Sequence, residues 1–114
     1  MNKVELMGRL TKDVEMVQSK SGVVVAKITL AIPRKTNKDE TDFIDAVAFG
    51  KLGETLSKYV TKGNRLIVTG SIQLNNYTDK DGNNRTSTTI IIDDFYFVDF
   101  KKAEEDKKDE LPFG

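Results

Sequence analysis

Apolar and polar residues alternate along most of the chain, which is typical of β-strands that bury one face and expose the other. Turn-forming residues separate the alternating runs and set their limits. The pattern predicts five strands, which lie at residues 4–10, 23–32, 43–49, 65–74 and 88–92. Residues 95–100 either extend the fifth strand or add a sixth, and Gly70 predicts a bulge inside the fourth.

One apolar stripe has the spacing of a helix and consists of Leu52, Leu56, Tyr59 and Val60. It predicts a short helix that is ended by Gly63. Five strands with a helix between the third and the fourth is the element order of the OB-fold, a small Greek-key barrel with an open face for oligonucleotides. The hairpin that follows is long, and its tip at residues 79–84 is rich in turn formers. We therefore predict an all-β OB-fold barrel with one short helix and an extended hairpin.

The predicted third strand carries two different faces. One face has the small apolar residues Ile44, Ala46 and Ala48, and the other has Phe43, Asp45, Val47 and Phe49. The smaller set suits the interior of a barrel, which would leave both phenylalanines on the outer wall. In the opposite orientation the phenylalanines are ordinary core residues. Alternation alone leaves both orientations open.

Aromatic rings on the outer wall of such a barrel are candidates for contact with nucleobases, because every base has a π-face that can stack on a ring. Phe43 and Phe49 are two such rings, and Tyr77, among polar residues at the start of the long hairpin, is a third. The candidates for phosphate contacts are Arg9, Lys12, Arg34, Lys35, Lys51, Lys62 and Arg85. Each of these is typical of a solvated surface, so only convergence on one face would make a groove.

The formal net charge is zero, but the charges are unevenly distributed. Residues 1–102 contain 16 Lys and Arg against 13 Asp and Glu, whereas residues 103–114 contain 2 Lys and 5 acidic residues. A mildly basic body is therefore followed by an acidic tail of low hydrophobicity, which is the composition of a disordered segment. We predict a barrel domain over residues 1–100 and a flexible tail over residues 101–114.

The composition also narrows the function classes. The chain has no cysteine and no histidine, no signal-peptide core at its start and no apolar run long enough to span a membrane. Asp79, Asp81 and Asn83 have the spacing of the first calcium-loop ligands, but the glycine and the glutamate that complete such a loop are missing. The other acidic pairs form no recognisable magnesium site. We therefore expect a cytoplasmic protein that is not an enzyme and needs no cofactor.

Three segments resemble the bacterial and phage single-stranded DNA-binding protein family. They are MNKVELMGRLTKD, DFIDAVAFGKLGETLSKYVTKGNRLIVTGSIQ and NYTDKDG, in the family's order and spacing. The resemblance implies an OB-fold homotetramer that binds single-stranded DNA without sequence preference in replication, recombination and repair. It also implies that Phe43, Phe49 and Tyr77 stack bases, which favours the orientation with both phenylalanines on the outer wall.

The chain departs from this family in its binding residues. The loop IPRKTNKDE has no aromatic ring where relatives often have a stacking tryptophan, and the chain has no tryptophan at all. Asp45 stands between the two phenylalanines, where relatives can have a basic residue. These departures predict three stacking rings per subunit instead of four.

The chain ends in an acidic run followed by an apolar tip, and the residues of interest are Asp109, Glu110, Leu111, Pro112 and Phe113. Members of the resembled family often end in acidic residues and a Pro-Phe tip that binds replication, recombination and repair proteins. The resemblance therefore implies a protein-docking tail, with the departure that Gly114 follows the phenylalanine. A merely solubilising tail is the alternative, although an apolar pair adds nothing to solubility.

A different class of function remains open for the barrel itself. In an OB-fold interaction module or primosome-type adaptor, the exposed rings would contact another protein in place of bases. Binding of oligo-dT distinguishes this alternative from the single-stranded DNA-binding function.

Overall fold

The computed structural model of the chain describes residues 1–98, which form six strands and one helix. The elements are β1 (Val4–Leu10), β2 (Glu15–Gln18), β3 (Val24–Pro33), β4 (Thr41–Phe49), α1 (Gly50–Tyr59), β5 (Arg65–Thr78) and β6 (Asn84–Phe97). The predicted OB-fold with one short helix and an extended hairpin is confirmed. Residues 95–97 extend the last predicted strand, because β6 is continuous from Asn84 to Phe97.

The strands form one sheet in the order β1-β5-β6-β4-β3-β2, and it closes on itself where β1 also pairs with β3. Neighbours are antiparallel except for β4 and β6, which run parallel. The predicted bulge is confirmed at Gly70, where the register between β5 and β6 shifts. At this point Thr69 pairs with Asp94, whereas Gly70 pairs with Ile92. Beyond the barrel, β5 and β6 continue as a two-stranded hairpin up to Thr78 and Asn84.

The core is built from the inward face of each long strand together with α1. Its buried apolar residues are Leu10, Ala26, Ile28, Leu30, Ala46, Ala48, Leu56, Val60, Leu66, Val68, Ile90 and Ile92. The helix can pack closely because Gly53 faces small residues. A Cβ at Gly53 would lie 2.6 Å from the Ala48 carbonyl oxygen and 3.3 Å from the Ala26 Cβ. The alanines of β3 and β4 therefore leave room for the helix at the end of the barrel.

The strand β2 was not predicted. All four of its residues are exposed, so they have no buried face and no alternation that a sequence pattern can detect. β2 is held by its backbone pairing with β3, from Glu15 opposite Lys27 to Gln18 opposite Val24. The same strand forms one border of the outer surface described below.

Two details of the helix prediction are wrong. The apolar stripe predicts a buried Tyr59, but its side chain is 54% exposed, because Val60 takes the core position next to it. Gly63 does not end the helix, since α1 already ends at Tyr59 and Val60 is extended. Gly63 has a φ of 90° in the turn that follows, and its N–H donates to the Leu10 carbonyl.

Candidate nucleic-acid interface

The outer wall of the barrel includes β3, β4, β6 and β5 side by side. Phe43 and Phe49 of β4 are 67% and 48% exposed, whereas Ala46 and Ala48 of the same strand are completely buried. The alternative in which the two phenylalanines belong to the core is therefore wrong. The smaller residues fill the interior, as the space beside the helix requires.

Tyr77 lies on the same face as the two phenylalanines. Asp45 of β4 pairs with Thr89 of β6, and Thr89 pairs in turn with Gln73 of β5. Tyr77 follows Gln73 by four residues, and residues an even number apart in a strand point to the same side. Tyr77 is 52% exposed. The strand register thus puts three aromatic rings, each about half exposed or more, on one surface.

The rings are spaced along this surface and do not touch. Phe49 follows Phe43 by six positions in one strand, which corresponds to about 20 Å at about 3.3 Å per residue. Asp45 and Val47 point outward between them. Tyr77 lies two strands away, on the projecting hairpin. An extended ligand, longer than one small molecule, is needed to contact all three rings.

A shallow groove of about 260 Å³ lies against β4 between the positions of the two phenylalanines. Its outward side chains are Lys12, Glu15, Lys27, Thr29, Asp45, Val47 and Thr89. The hydroxyl of Thr29 donates a hydrogen bond of 2.9 Å to Asp45 Oδ1. We call this feature the Asp45 groove.

Lys27 is a groove residue that sequence reasoning missed. It lies on the outer face of β3, opposite Glu15 of β2 and Val47 of β4. The available signal was alternation along β3, in which Val25, Lys27 and Thr29 share the face that pairs with the outer face of β4. Without the pairing of β3 with β4, that face could not be connected to the rings.

A second concave surface of about 360 Å³ surrounds Tyr77 on the hairpin. Tyr77 lies opposite Arg85, whose Nε donates 2.8 Å to Asp79 Oδ2. This hydrogen bond is the main reason that the pKa of Asp79 lies below its usual value, and the backbone N–H of Asn83 lowers it further. The carboxylate of Asp79 thus organises the hairpin tip as a turn.

The two other arginines that were candidates for phosphate contacts, Arg34 and Arg9, also have hydrogen-bond partners within the protein. Arg34 contacts Glu40 at 2.7 Å and Asp42 at 3.0 Å, and chiefly the hydrogen bond with Asp42 raises the pKa of its guanidinium. One positive charge beside two carboxylates adds no net positive field to the β3–β4 loop. Arg9 donates 2.8 Å to the Gly63 carbonyl, and it pairs across β1 and β3 with Ala31, the neighbour of Phe43.

The predicted lysines lie at different places around the surface. Lys12 lines the Asp45 groove, and the backbone N–H of Lys62 donates 2.8 Å to Oδ1 of Asp13, the residue after Lys12. Lys51 is the second residue of α1 and follows Phe49 closely. Lys12 thus lies on the outer surface itself, Lys51 and Lys62 lie at the start of the helix and after its end, and Lys35 is exposed in the β3–β4 loop.

Several earlier predictions concern residues outside the described range of 1–98. These are the flexible tail and its docking residues Asp109, Glu110, Leu111, Pro112 and Phe113. Within the described range, the ten-residue α1 is too short to be a membrane-spanning helix.

Comparison with known proteins gives a consistent result. Residues 1–98 match the model of the Single-strand binding protein family. A single-stranded DNA-binding protein of Clostridium perfringens is 49% identical over 100 residues, which cover 87% of this chain and 67% of the relative. Single-stranded DNA-binding protein 3 of Clostridium acetobutylicum is 41% identical over 88% of this chain and 72% of its own length. Single-stranded DNA-binding protein 1 of Staphylococcus aureus is 37% identical over 96% of this chain and 72% of its own length.

Proposed function

Because the chain belongs to the single-strand binding protein family, we propose that it binds single-stranded DNA, without catalysis, in replication, recombination and repair. The observation that carries this proposal is the common face of Phe43, Phe49 and Tyr77. Exposure of an apolar aromatic ring to water is unfavourable. Three such rings on one surface therefore suit a ligand with planar apolar groups that can stack on them.

Stacking explains how such a surface holds DNA of any sequence. A nucleobase on an aromatic side chain contributes about 1–3 kcal/mol, and every base has a face that can stack. The separation of about 20 Å between Phe43 and Phe49 requires a strand that runs along β4. Tyr77 would stack with bases further along the DNA strand, where it passes over the hairpin. Each ring holds a separate part of the same strand.

Phosphates would be held mainly by the lysines on and beside the outer wall. Lys12 and Lys27 line the Asp45 groove, Lys51 and Lys62 lie before and after the body of the helix, and Arg9 lies beside the row of Phe43. Arg34 and Arg85 are already bound to carboxylates, so a phosphate has to compete with Asp42 or Asp79 for them. We therefore assign the larger electrostatic share to the lysines.

We further propose that the chain forms a homotetramer. A second exposed row crosses β1, β5 and β6 and consists of Met7, Ile67 and Tyr96, which pair in this order. Met7 and Tyr96 are about half exposed, and the Tyr96 hydroxyl donates 2.9 Å to Asp94 Oδ2. An apolar row with a satisfied polar end suits contact with another protein surface. This row supports assembly through the β1–β5–β6 sheet.

Light scattering with and without oligo-dT tests binding and assembly together. The free protein should have four times the 12.8 kDa mass of one chain, and the mass should increase by that of the bound oligonucleotide. A plot of log affinity against log salt should fall with a slope of about −0.7 per phosphate neutralised. If the mass does not change with oligo-dT at low salt, the protein-interaction adaptor is favoured instead.

The tail extends the proposal to protein partners. We propose that Leu111 and Phe113 enter an apolar pocket of cytoplasmic replication, recombination and repair proteins, while the acidic residues meet a basic rim. A chain that lacks residues 109–114 should keep its affinity for oligo-dT. It should lose binding to purified repair proteins of a related bacterium, measured by calorimetry. Equal binding by both chains would leave the tail as a solubilising segment.

A further inference from the structure

An exposed apolar strip leaves β4 at Phe49 and crosses two neighbouring strands. Phe49 pairs with Val25 of β3, and Val25 pairs with Val17 of β2. Residues that face each other across antiparallel strands point to the same side of the sheet, so all three lie on the outer wall. Phe49 is 48% exposed, Val17 is 38% exposed, and Val25 is partly buried between them. We call these three residues the Val17 row.

The Val17 row is continuous with the binding surface already described. It adjoins the paired residues Val47, Lys27 and Glu15, which line the groove on the outer face of β4. Neighbouring strands lie about 4.8 Å apart, so the Val17 row extends roughly 10 Å sideways from Phe49. The row therefore enlarges the surface at right angles to β4.

The surface on either side of Phe49 favours one direction for a ligand that follows β4. The strand ends at Phe49, and α1 begins at Gly50. On the β6 side, Asp93 is exposed two residues after Ile91, and its carboxylate accepts 2.6 Å from the Thr69 hydroxyl. A carboxylate repels the phosphates of DNA, whereas the β3 side offers valines. The apolar surface thus leads from β4 over β3 to β2.

The apolar centre of β2 is unusual for a strand at the end of a sheet order. Such strands often carry charged residues that hinder association with other chains. β2 instead has Met16 and Val17 at its centre, which are 42% and 38% exposed. A single exposed valine needs no explanation, but Val17 is joined to Val25 and Phe49 in one row. A continuous apolar patch with a polar border is typical of a binding surface.

A nucleotide has the chemistry that this row can hold. The flat faces of a base pack on apolar side chains as well as on aromatic rings. A valine in a strand has few side-chain conformations to lose, so ordering it on binding costs little. Lys27 lies next to the row, and a lysine ammonium suits a phosphate. The row therefore suits the nucleotide that follows the one stacked on Phe49.

Building on the proposed DNA-binding function, we infer that Val17 and Val25 continue the stacking surface beyond Phe49, so that a bound DNA strand turns from β4 across β3 onto β2. Val17 is the outermost contact of this path. The added position accepts any base, because the row contacts the face of the base and not its edge.

A single introduced tryptophan can locate the DNA strand, because the chain contains no tryptophan of its own. In Val17→Trp we expect saturating oligo-dT to quench the indole emission as a base stacks on the ring, and the affinity to rise by about fivefold. Met16→Trp is the matched control, since Met16 is similarly exposed in the same strand but pairs with the buried Ala26 and so points away from the outer wall. Its emission should not change.

A second pair of variants measures what the natural side chain contributes. Val17→Asp should weaken binding of oligo-dT by about fivefold, because one partly buried valine contact is lost. Met16→Asp introduces the same charge one residue away, on the other side of the strand, and should weaken binding by less than about twofold. Thermal unfolding shows that each variant is folded.

Several outcomes would overturn the inference. One is unchanged emission of Val17→Trp in a complex that does form, and another is equal quenching in both tryptophan variants. Equal affinities of the two aspartate variants would overturn it as well, since contact at Val17 would then contribute nothing. If the wild-type chain does not bind oligo-dT, the proposed function itself fails, and the inference falls with it.

Discussion

Replacement of Phe43, Phe49 and Tyr77 together with alanine should weaken binding of oligo-dT by at least about 100-fold. Each ring contributes about 1–3 kcal/mol when a base stacks on it, so even the lower limit for three rings exceeds this factor. The fold should survive, because all three side chains are about half exposed or more. Fluorescence anisotropy of a labelled oligonucleotide measures the affinity, and thermal unfolding measures the fold.

Tyr59→Ala is the matched control for this experiment. Its ring is as exposed as that of Tyr77 but lies on α1, with Lys58 Nζ 5.6 Å from its centre. Tyr59 and Lys58 together provide an aromatic ring and a positive charge, but they lie on α1 and not on the outer face of β4. Affinity should therefore change less than about twofold. Undiminished binding by a folded triple variant would show that stacking does not hold the DNA.

Replacement of Gly70 with alanine should lower the free energy of unfolding by about 3 kcal/mol or more. A Cβ at this position would lie 2.0 Å from the Ile91 carbonyl oxygen and 2.8 Å from its carbon. Both atoms belong to the backbone of β6, so no side chain can turn away to make space. The bulge between β5 and β6 has to open instead, at the base of the hairpin that carries Tyr77.

Urea unfolding of the variant, followed by circular dichroism, gives the size of this effect. Ser71→Ala is the control, since it changes the next residue of β5, which is only partly buried. That change should alter stability by less than about 0.5 kcal/mol. A Gly70→Ala protein as stable as the wild type would mean that the glycine is not required for the bulge.

The barrel was predictable from sequence because its long strands bury one face and expose the other. Alternation along β1 and β4 identified which residues share a face, and Gly70 indicated the bulge. Alternation could not decide which face of β4 points inward, since both are apolar. Packing decides it, because the space beside Gly53 accepts only the alanines.

The parts that could not be predicted depend on partners that are distant in sequence. Strand β2 has no buried face and exists through its pairing with β3. Lys27 joins the binding surface only because β3 lies beside β4. The ion pairs of Arg34 and Arg85 likewise depend on the fold, because residue type alone does not show which basic residues face a carboxylate. A sequence gives the charges, but only the fold shows where they are already paired.

The parallel pairing of β4 with β6 has a consequence for the newly made chain. Asp45 pairs with Thr89, a residue that the ribosome adds 44 positions later. At synthesis rates of about 5–20 residues per second, Thr89 is added roughly two to nine seconds after Asp45. During that time the free edge of β4 and both phenylalanines are available to other nascent chains. Unpaired strand edges are where chains associate wrongly, so the protein is exposed to aggregation until β6 has been made.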